Sequence, residues 1–454
     1  MYILPATFHY WLMTELMFYV FFHITRNRME KINPQVHLTS KQRRSVFMNS
    51  LLTVDRLDQW LPGWFIKKQT SLPPLLNEIY TGNIKEWLSW AFFNSPLEDV
   101  LQNENFQDME WMVQQFQNRF KYTFQKGYNE NIQSRRKNLD PLTAYHRPLV
   151  FYIGIQLATI FYGMILQFGY KMKKYGPEAV QTELLWNFVE SRVPSSFYDQ
   201  DNGDDGRICY WFRDGNRDKK PIIFIHGIGA GLMCYAPFLH QLFQLDNPVI
   251  LIELPFVAMR CVEDVPTMHE ISYDIQQLLS RHGFQNAVFV AHSLGSAVTS
   301  YCLQHIPKSV ASVVLLDPIC FMLHYPDVCT NFVYRNPKTV SESIVKYFAS
   351  TELYIAFFIS RHFHWFQLAL YVTPKLRHSN SHLQSKHLVT TSMPSKTKVY
   401  LSEMDNIVNS SRVNQYLTKN RIDNEVMDGL DHASFLFYPS WQKKIISTIQ
   451  DFTQ

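Results

Sequence analysis

Two regimes of apolar patterning divide this chain near its middle. In the first half, apolar residues come in long stretches or at helical spacing. Residues 1–25 are mostly apolar and aromatic and give way to Arg26-Asn27-Arg28. Residues 26–147 carry a polar-aromatic, helix-like pattern with no alternating runs, which predicts a helical adjunct region. Leu149 to Tyr170 holds no charged residue and ends at Lys171-Met172-Lys173-Lys174. That run is about long enough to cross a hydrocarbon layer, so 148–174 is expected to form a second apolar helix, transmembrane or monotopic. Within it Gln156, Thr159, Gly163 and Gln167 form a narrow polar stripe. Such a stripe suits packing against another helix in lipid, or a helix half-buried on a domain. The first segment reads as a membrane anchor and not a cleaved signal peptide, because its positive charge follows the apolar stretch. Glu15 weakens a spanning reading and leaves an interfacial or core helix open.

In the second half, short apolar runs alternate with helix-length segments. Ile208–Phe212 precedes the turn Asp214-Gly215-Asn216. The further runs are Pro221–Ile225, Val249–Ile252, Ala287–Val290, Ser312–Leu316 and Lys398–Leu401. This rhythm predicts an α/β domain over 177–454, with a mostly parallel sheet covered by helices on both faces. An aromatic-rich insert at 319–396, containing Phe357-Phe358 and His362-Phe363-His364-Trp365-Phe366, interrupts it.

Composition shifts this picture toward lipid. Aromatic residues make up 15% and charged residues 18% of the 454 positions, against a usual charged share of roughly 25%. A net charge of +4 from scattered Lys and Arg gives no nucleic-acid footprint. Basic clusters beside apolar runs suit anionic lipid instead. Trp60-Leu61-Pro62-Gly63-Trp64-Phe65, followed by Lys67-Lys68, fits a membrane interface, or equally a turn with core tryptophans. The six cysteines form no C-x-x-C pair and read as buried free thiols. With the lone sequon Asn409-Ser410-Ser411, they lean toward a cytosolic face for the main domain. No P-loop, dinucleotide fingerprint or metal-ligand spacing appears, so neither cofactor nor metal is expected. Oligomeric state is left open.

The chemistry centres on Ala287-Val288-Phe289-Val290-Ala291-His292-Ser293-Leu294-Gly295-Ser296. A strand that turns sharply into a helix lifts the Ser293 hydroxyl out of the sheet. Small residues beside it, Ala291, Gly295 and Ser296, permit the bend. The following N–H groups, at a helix N-terminus, face any developing negative charge. The glycines of His226-Gly227-Ile228-Gly229-Ala230-Gly231 let backbone approach a ligand closely. His226 itself reads as a structural hydrogen-bonding residue.

These stretches resemble the nucleophile elbow and the oxyanion loop of the α/β-hydrolase superfamily, with Ala291 in place of the elbow's first glycine. The resemblance runs from about Pro221 to the C-terminus and leaves the first half unexplained. It implies Ser293 as nucleophile and an oxyanion hole made by the N–H of Ile228 or Gly229 with that of Leu294. His432, in a turn before the last helix, is implied as the base. Asp405, in the turn after a late strand, is the preferred acid. Asp317 is the alternative, at a topological position used by some lipases, and Glu403 a weaker third. The 319–396 insert is implied as a cap over the site. A serine at the elbow argues against epoxide hydrolases and haloalkane dehalogenases, which place an aspartate there. The expected function is a membrane-associated, lipase-like serine hydrolase acting on a lipid or other apolar ester. An acyltransferase using the same triad, or a catalytically silent binding protein at a membrane, is the alternative. The endoplasmic reticulum or a lipid droplet suits the pattern.

Overall fold

The computed structural model describes residues 6–32, 36–102, 105–176, 206–373 and 390–454. The expected start of the α/β domain near Pro177, the first five residues and part of the insert, 374–389, lie outside them.

Two short strands in the first half, β1 (Phe65–Lys67) and β2 (Ile132–Ser134), pair antiparallel, a detail that helical spacing did not announce. The remaining strands are β3 (Lys173–Tyr175), β4 (Cys209–Arg213), β5 (Ile222–Ile225), β6 (Val249–Glu253), β7 (Ala287–His292), β8 (Val310–Leu316), β9 (Thr397–Ser402) and β10 (Asn424–Met427). They make one eight-stranded sheet in the order β10-β9-β8-β7-β5-β6-β4-β3. Strands β10 through β6 in that order run parallel, while β4 and β3 are antiparallel to their neighbours.

Every residue of β5 and β7 is buried, which is why these strands read as unbroken apolar runs and not as alternation. Ile223, Ile225, Phe289 and Ala291 face one core, and Ile222, Phe224, Val288 and Val290 face the other. From β5 the chain passes to β6 on one side and then back to β7 on the other. The loops that follow β5 and β7 therefore diverge from a crevice at the carboxyl edge, where ligands bind in open α/β sheets.

The first core continues without a break into the N-terminal half, through Phe47, Trp60, Trp87 and Phe116, and into the insert, through Tyr354, Phe358 and Trp365. Polar contacts stitch the same seam. Trp365 Nε1 donates to Ala91 O (2.9 Å), and Trp60 and Trp64 both donate to His324 O (2.9 and 3.3 Å). The two indoles are 0% and 4% exposed, so they are core tryptophans, and the membrane-interface reading of residues 60–65 is corrected.

The first helix, Ala6–Glu30, exposes Tyr10, Leu12, Met13, Leu16 and Met17 while burying Phe22, Thr25 and Met29. A second helix starts at Leu149 and continues through a wider turn to Gly169. It spans 21 residues with a mean hydropathy of 2.0 and is 17% buried. Among the described residues it is the one helix long and apolar enough to cross a membrane. Tyr162 and Leu166 hold it to the sheet, and Gly163 lies over Trp211. The polar stripe is thus half-buried, and the open face is apolar. Glu15 finds a specific use at the start of this helix, where its Oε2 accepts the Leu149 N–H (2.9 Å).

Candidate active site

Ser293, the residue after β7, has φ 50° and ψ −116°, a left-handed backbone that a non-glycine residue adopts only when its surroundings impose it. Its N–H donates to Leu316 O (3.0 Å), and its carbonyl accepts the Ser296 hydroxyl (2.6 Å). Gly295 is required by the close approach of the next helix to β5, since a Cβ there would lie 2.2 Å from Ile225 O. Gly227 is as tightly placed: its Cβ would meet the Ser293 Cβ at 2.8 Å. At Ala291, by contrast, the methyl has a place, fully buried in the first core.

Three residues from separate strand ends converge. His432 Nε2 lies 3.0 Å from Ser293 Oγ, and its Nδ1–H donates to Asp405 Oδ2 (2.6 Å). The other carboxylate oxygen of Asp405 accepts the N–H groups of Ile407 and Val408, each at 2.8 Å, and the side chain is 0% exposed. The imidazole is fixed from its backbone as well. His432 N–H donates to Asp431 Oδ1 (2.8 Å), and Ala433 takes a left-handed φ of 66°. Burial, the largest single influence, pulls the His432 pKa down. The contact with Asp405, aided by Asp317 and Asp431, outweighs it and pushes the value up to about 9.

Asp317, the alternative acid, does not bond this imidazole. Its carboxylate accepts the Ser402 N–H (2.7 Å), the Ser402 hydroxyl (3.0 Å) and the Ala433 N–H (3.0 Å), tying β8 to β9 and to the His432 turn. Complete burial raises its pKa to about 6. Glu403 is exposed and accepts the Gly429 N–H (2.8 Å). Asp317, Asp405 and His432 offer ligand atoms within 4.8 Å of one another, but hydrogen bonds already engage both carboxylates and the imidazole.

On the oxyanion side, Leu294 opens a helix, so its N–H has no acceptor within that helix. Ile228 lines the cavity. Gly229 is a correction: its N–H is spent on Val257 O (3.1 Å), which leaves Ile228 as the loop's candidate donor. His226 is structural, donating from Nδ1 to Gly227 O (2.7 Å) and accepting the Leu254 N–H at Nε2 (2.9 Å). Burial depresses its pKa to about 4 and keeps it neutral.

Sequence reasoning missed a chain beneath the triad. Gly227 N–H donates to Tyr235 Oη (2.9 Å), whose hydroxyl donates to His292 Nδ1 (2.6 Å). This puts the His292 proton on Nε2, 3.9 Å from Asp317 Oδ2. Burial drives the His292 pKa well below its ordinary value, so the ring stays neutral beside His432. The only available signal was the position of His292 next to the serine.

Above the site lies a cavity of about 490 Å³. Ser293, Leu294 and His432 form its floor. The insert adds Leu323, Phe332 and Phe363, and the N-terminal half adds Trp64, Trp90 and Lys137. Among the thiols, Cys209, Cys302 and Cys320 are buried and Cys261 and Cys329 half-buried. Cys234 is exposed and lines the cavity, contrary to the expectation that all six lie in the core.

Comparison with known proteins follows this geometry. Residues 220–420 match the family model described as alpha/beta hydrolase fold, a stretch that holds Ser293 and Asp405 and stops short of His432. Similar solved structures include the Pyrococcus furiosus esterase Pf2001 (13% identity, 54% of this chain and 88% of that one, TM-score 0.38). Others are a thermophilic esterase from Thermogutta terrifontis (14%, 56% and 97%, 0.38) and naproxen esterase from Bacillus subtilis (13%, 53% and 87%, 0.35). A search of curated protein sequences returned no match. The strand order, the elbow at Ser293 and the family match over residues 220–420 make the second half of this chain an α/β-hydrolase fold.

Proposed function

We propose that the protein is a membrane-associated serine hydrolase that cleaves a lipid or other apolar carboxylic ester through an acyl-enzyme. The observation that carries this reading is the unbroken chain from Ser293 Oγ through His432 to Asp405. In the attacking state His432 is neutral, with its proton on Nδ1 held by Asp405, so Nε2 accepts the Ser293 proton as Oγ adds to the ester carbonyl. The tetrahedral oxyanion is held by the N–H groups of Leu294 and Ile228. His432 then returns the proton to the leaving alcohol, and a water attacks the acyl-enzyme by the same route. An intact proton chain with a strained nucleophile supports catalysis over silent binding. The apolar walls of the cavity and the open faces of the two N-terminal helices support an apolar ester drawn from a membrane. Endoplasmic reticulum or lipid droplet, with the domain on the cytosolic side, is the proposed location, and protease protection in fractionated cells tests it.

The test of chemistry is labelling of the purified full chain with a fluorophosphonate. Ser293→Ala is expected to lose both the label and hydrolysis of p-nitrophenyl esters. Full ester turnover in Ser293→Ala would sink the assignment.

A further inference from the structure

The cavity is mostly apolar; apart from Ser293, His432 and a few neutral polar groups such as Asn138, Ser341 and Asn406, it is lined at one place by a lysine. Lys137 reaches it from the N-terminal half and is 8% exposed. A buried ammonium is costly unless paired. Of its three N–H donors one is accounted for, by the Ser360 hydroxyl. Among the described residues no carboxylate lies within 4 Å of it. The nearby acid, Asp140, is already occupied, accepting the Arg136 N–H (3.0 Å) and the Tyr334 hydroxyl (2.7 Å). A second buried cation, Arg361, lies close by and spends its donors on the carbonyls of Asn138, Asp140, Ser360 and Glu30, so its charge is also unmatched by a bonded carboxylate. Lys137 therefore brings to the cavity wall a positive charge with no bonded carboxylate, and Arg361 behind it does not offset that charge.

The position is also rigid. Asn138, the next residue, accepts Trp90 Nε1–H (3.2 Å) and donates to Phe363 O (3.3 Å), which clamps this segment between the N-terminal half and the insert. Burial pulls the Lys137 pKa down to about 8, which still leaves the ammonium charged near neutrality.

We propose that Lys137 is a binding residue for an anionic group, a carboxylate or phosphate, carried by an amphipathic ligand whose apolar part fills the cavity over Ser293. As a statement about substrate this rests on the hydrolase reading, and it narrows the ester to one that also bears an acid. As a statement about binding it stands without catalysis. An oxyanion would supply the acceptors that Lys137 lacks, and charge-assisted bonds in a dry site are the strong ones.

The test uses the full chain in detergent with Ser293→Ala, so that turnover plays no part, titrated with dodecyl phosphate, dodecanoate and dodecanol. The two anions are expected to bind about tenfold or more tighter than the alcohol. In Lys137→Met the ratio should fall to about one, and Lys137→Gln, which keeps a donor for Ser360, should lower it likewise if the methionine variant folds poorly. Equal affinity for anion and alcohol in the parent, or a preference that survives both substitutions, would overturn the proposal. So would inorganic phosphate binding as tightly as dodecyl phosphate, since the site would then take a free anion. Ester turnover persisting in Ser293→Ala would count against the hydrolase reading and leave this measurement valid.

Discussion

The two aspartates beside His432 make a discriminating experiment, because their carboxylates lie within 4.8 Å of the imidazole and of each other yet bond different partners. Asp405 holds the imidazole proton, whereas Asp317 holds backbone and Ser402. The acids together carry the His432 pKa from 6.5 to about 9 against burial, a net preference for the imidazolium of roughly 3 kcal/mol at about 1.36 kcal/mol per unit. Asp405→Asn removes the largest favourable part and allows the wrong tautomer. A fall in kcat of about three to four orders of magnitude is expected, the size seen for the equivalent change in serine proteases. Asp317→Asn keeps the bond between His432 and Asp405 and should cost less than about tenfold. The pH profile adds a sign. With the native acid, kcat/KM for a soluble p-nitrophenyl ester should climb with pH as His432 loses its proton near pH 9. In Asp405→Asn burial prevails and the residual rate should reach its plateau at lower pH. Equal losses in the two variants, or an acid limb unmoved by Asp405→Asn, would refute the assignment of the acid.

Other outcomes follow from the same contacts. Gly295→Ala places a methyl against Ile225 O and should cost about 1–3 kcal/mol through overpacking while displacing Ser293, so melting temperature and fluorophosphonate labelling should both drop. Native values for both would remove the close-approach explanation. His226, His324 and His292 are held neutral by burial, the first two with pKa values near 4 and 3. The unfolded chain takes up their protons first, so their contribution to stability is present above about pH 6.5 and is lost as pH falls toward 4, by roughly 3 kcal/mol for His226 alone. His432 has the opposite sign, its contribution being present below about pH 6.5 and lost as pH rises through 9. Thermal melts across this range should show a steep acid side, and a flat response between neutral and acid pH would contradict the buried-neutral assignment.

The parts of this molecule legible from sequence are those where one physical cause leaves a linear trace. Strands buried on both faces, such as Ile222–Ile225, must be apolar throughout, and a reactive serine at a strand end must sit among small residues. Ser293 and Asp405 were accessible because each follows a sheet strand that could be seen, whereas His432 was reached from its turn before the last helix, the strand Asn424–Met427 ahead of it having left no apolar run. The Tyr235 to His292 chain left no such trace, since isolated buried polar side chains have no periodicity. Trp60 and Trp64 stayed open between an interface and a core for a related reason. Neighbouring lysines suggested an interface, while the acceptor for both indoles, His324 O, lies far along the chain. The engagement of Gly229 with Val257 O was hidden in the same way.

The bond between Glu15 and the Leu149 amide makes the two apolar helices a single mechanical unit. The opening amides of a helix have no acceptor within it, so the acceptor must come from elsewhere, and here the protein supplies it. Trimming the amino-terminal segment to obtain a more tractable polypeptide would expose that amide and leave Leu149–Gly169 with one end undone. The helix Ala6–Glu30 is better regarded as the far half of a brace than as a detachable appendage.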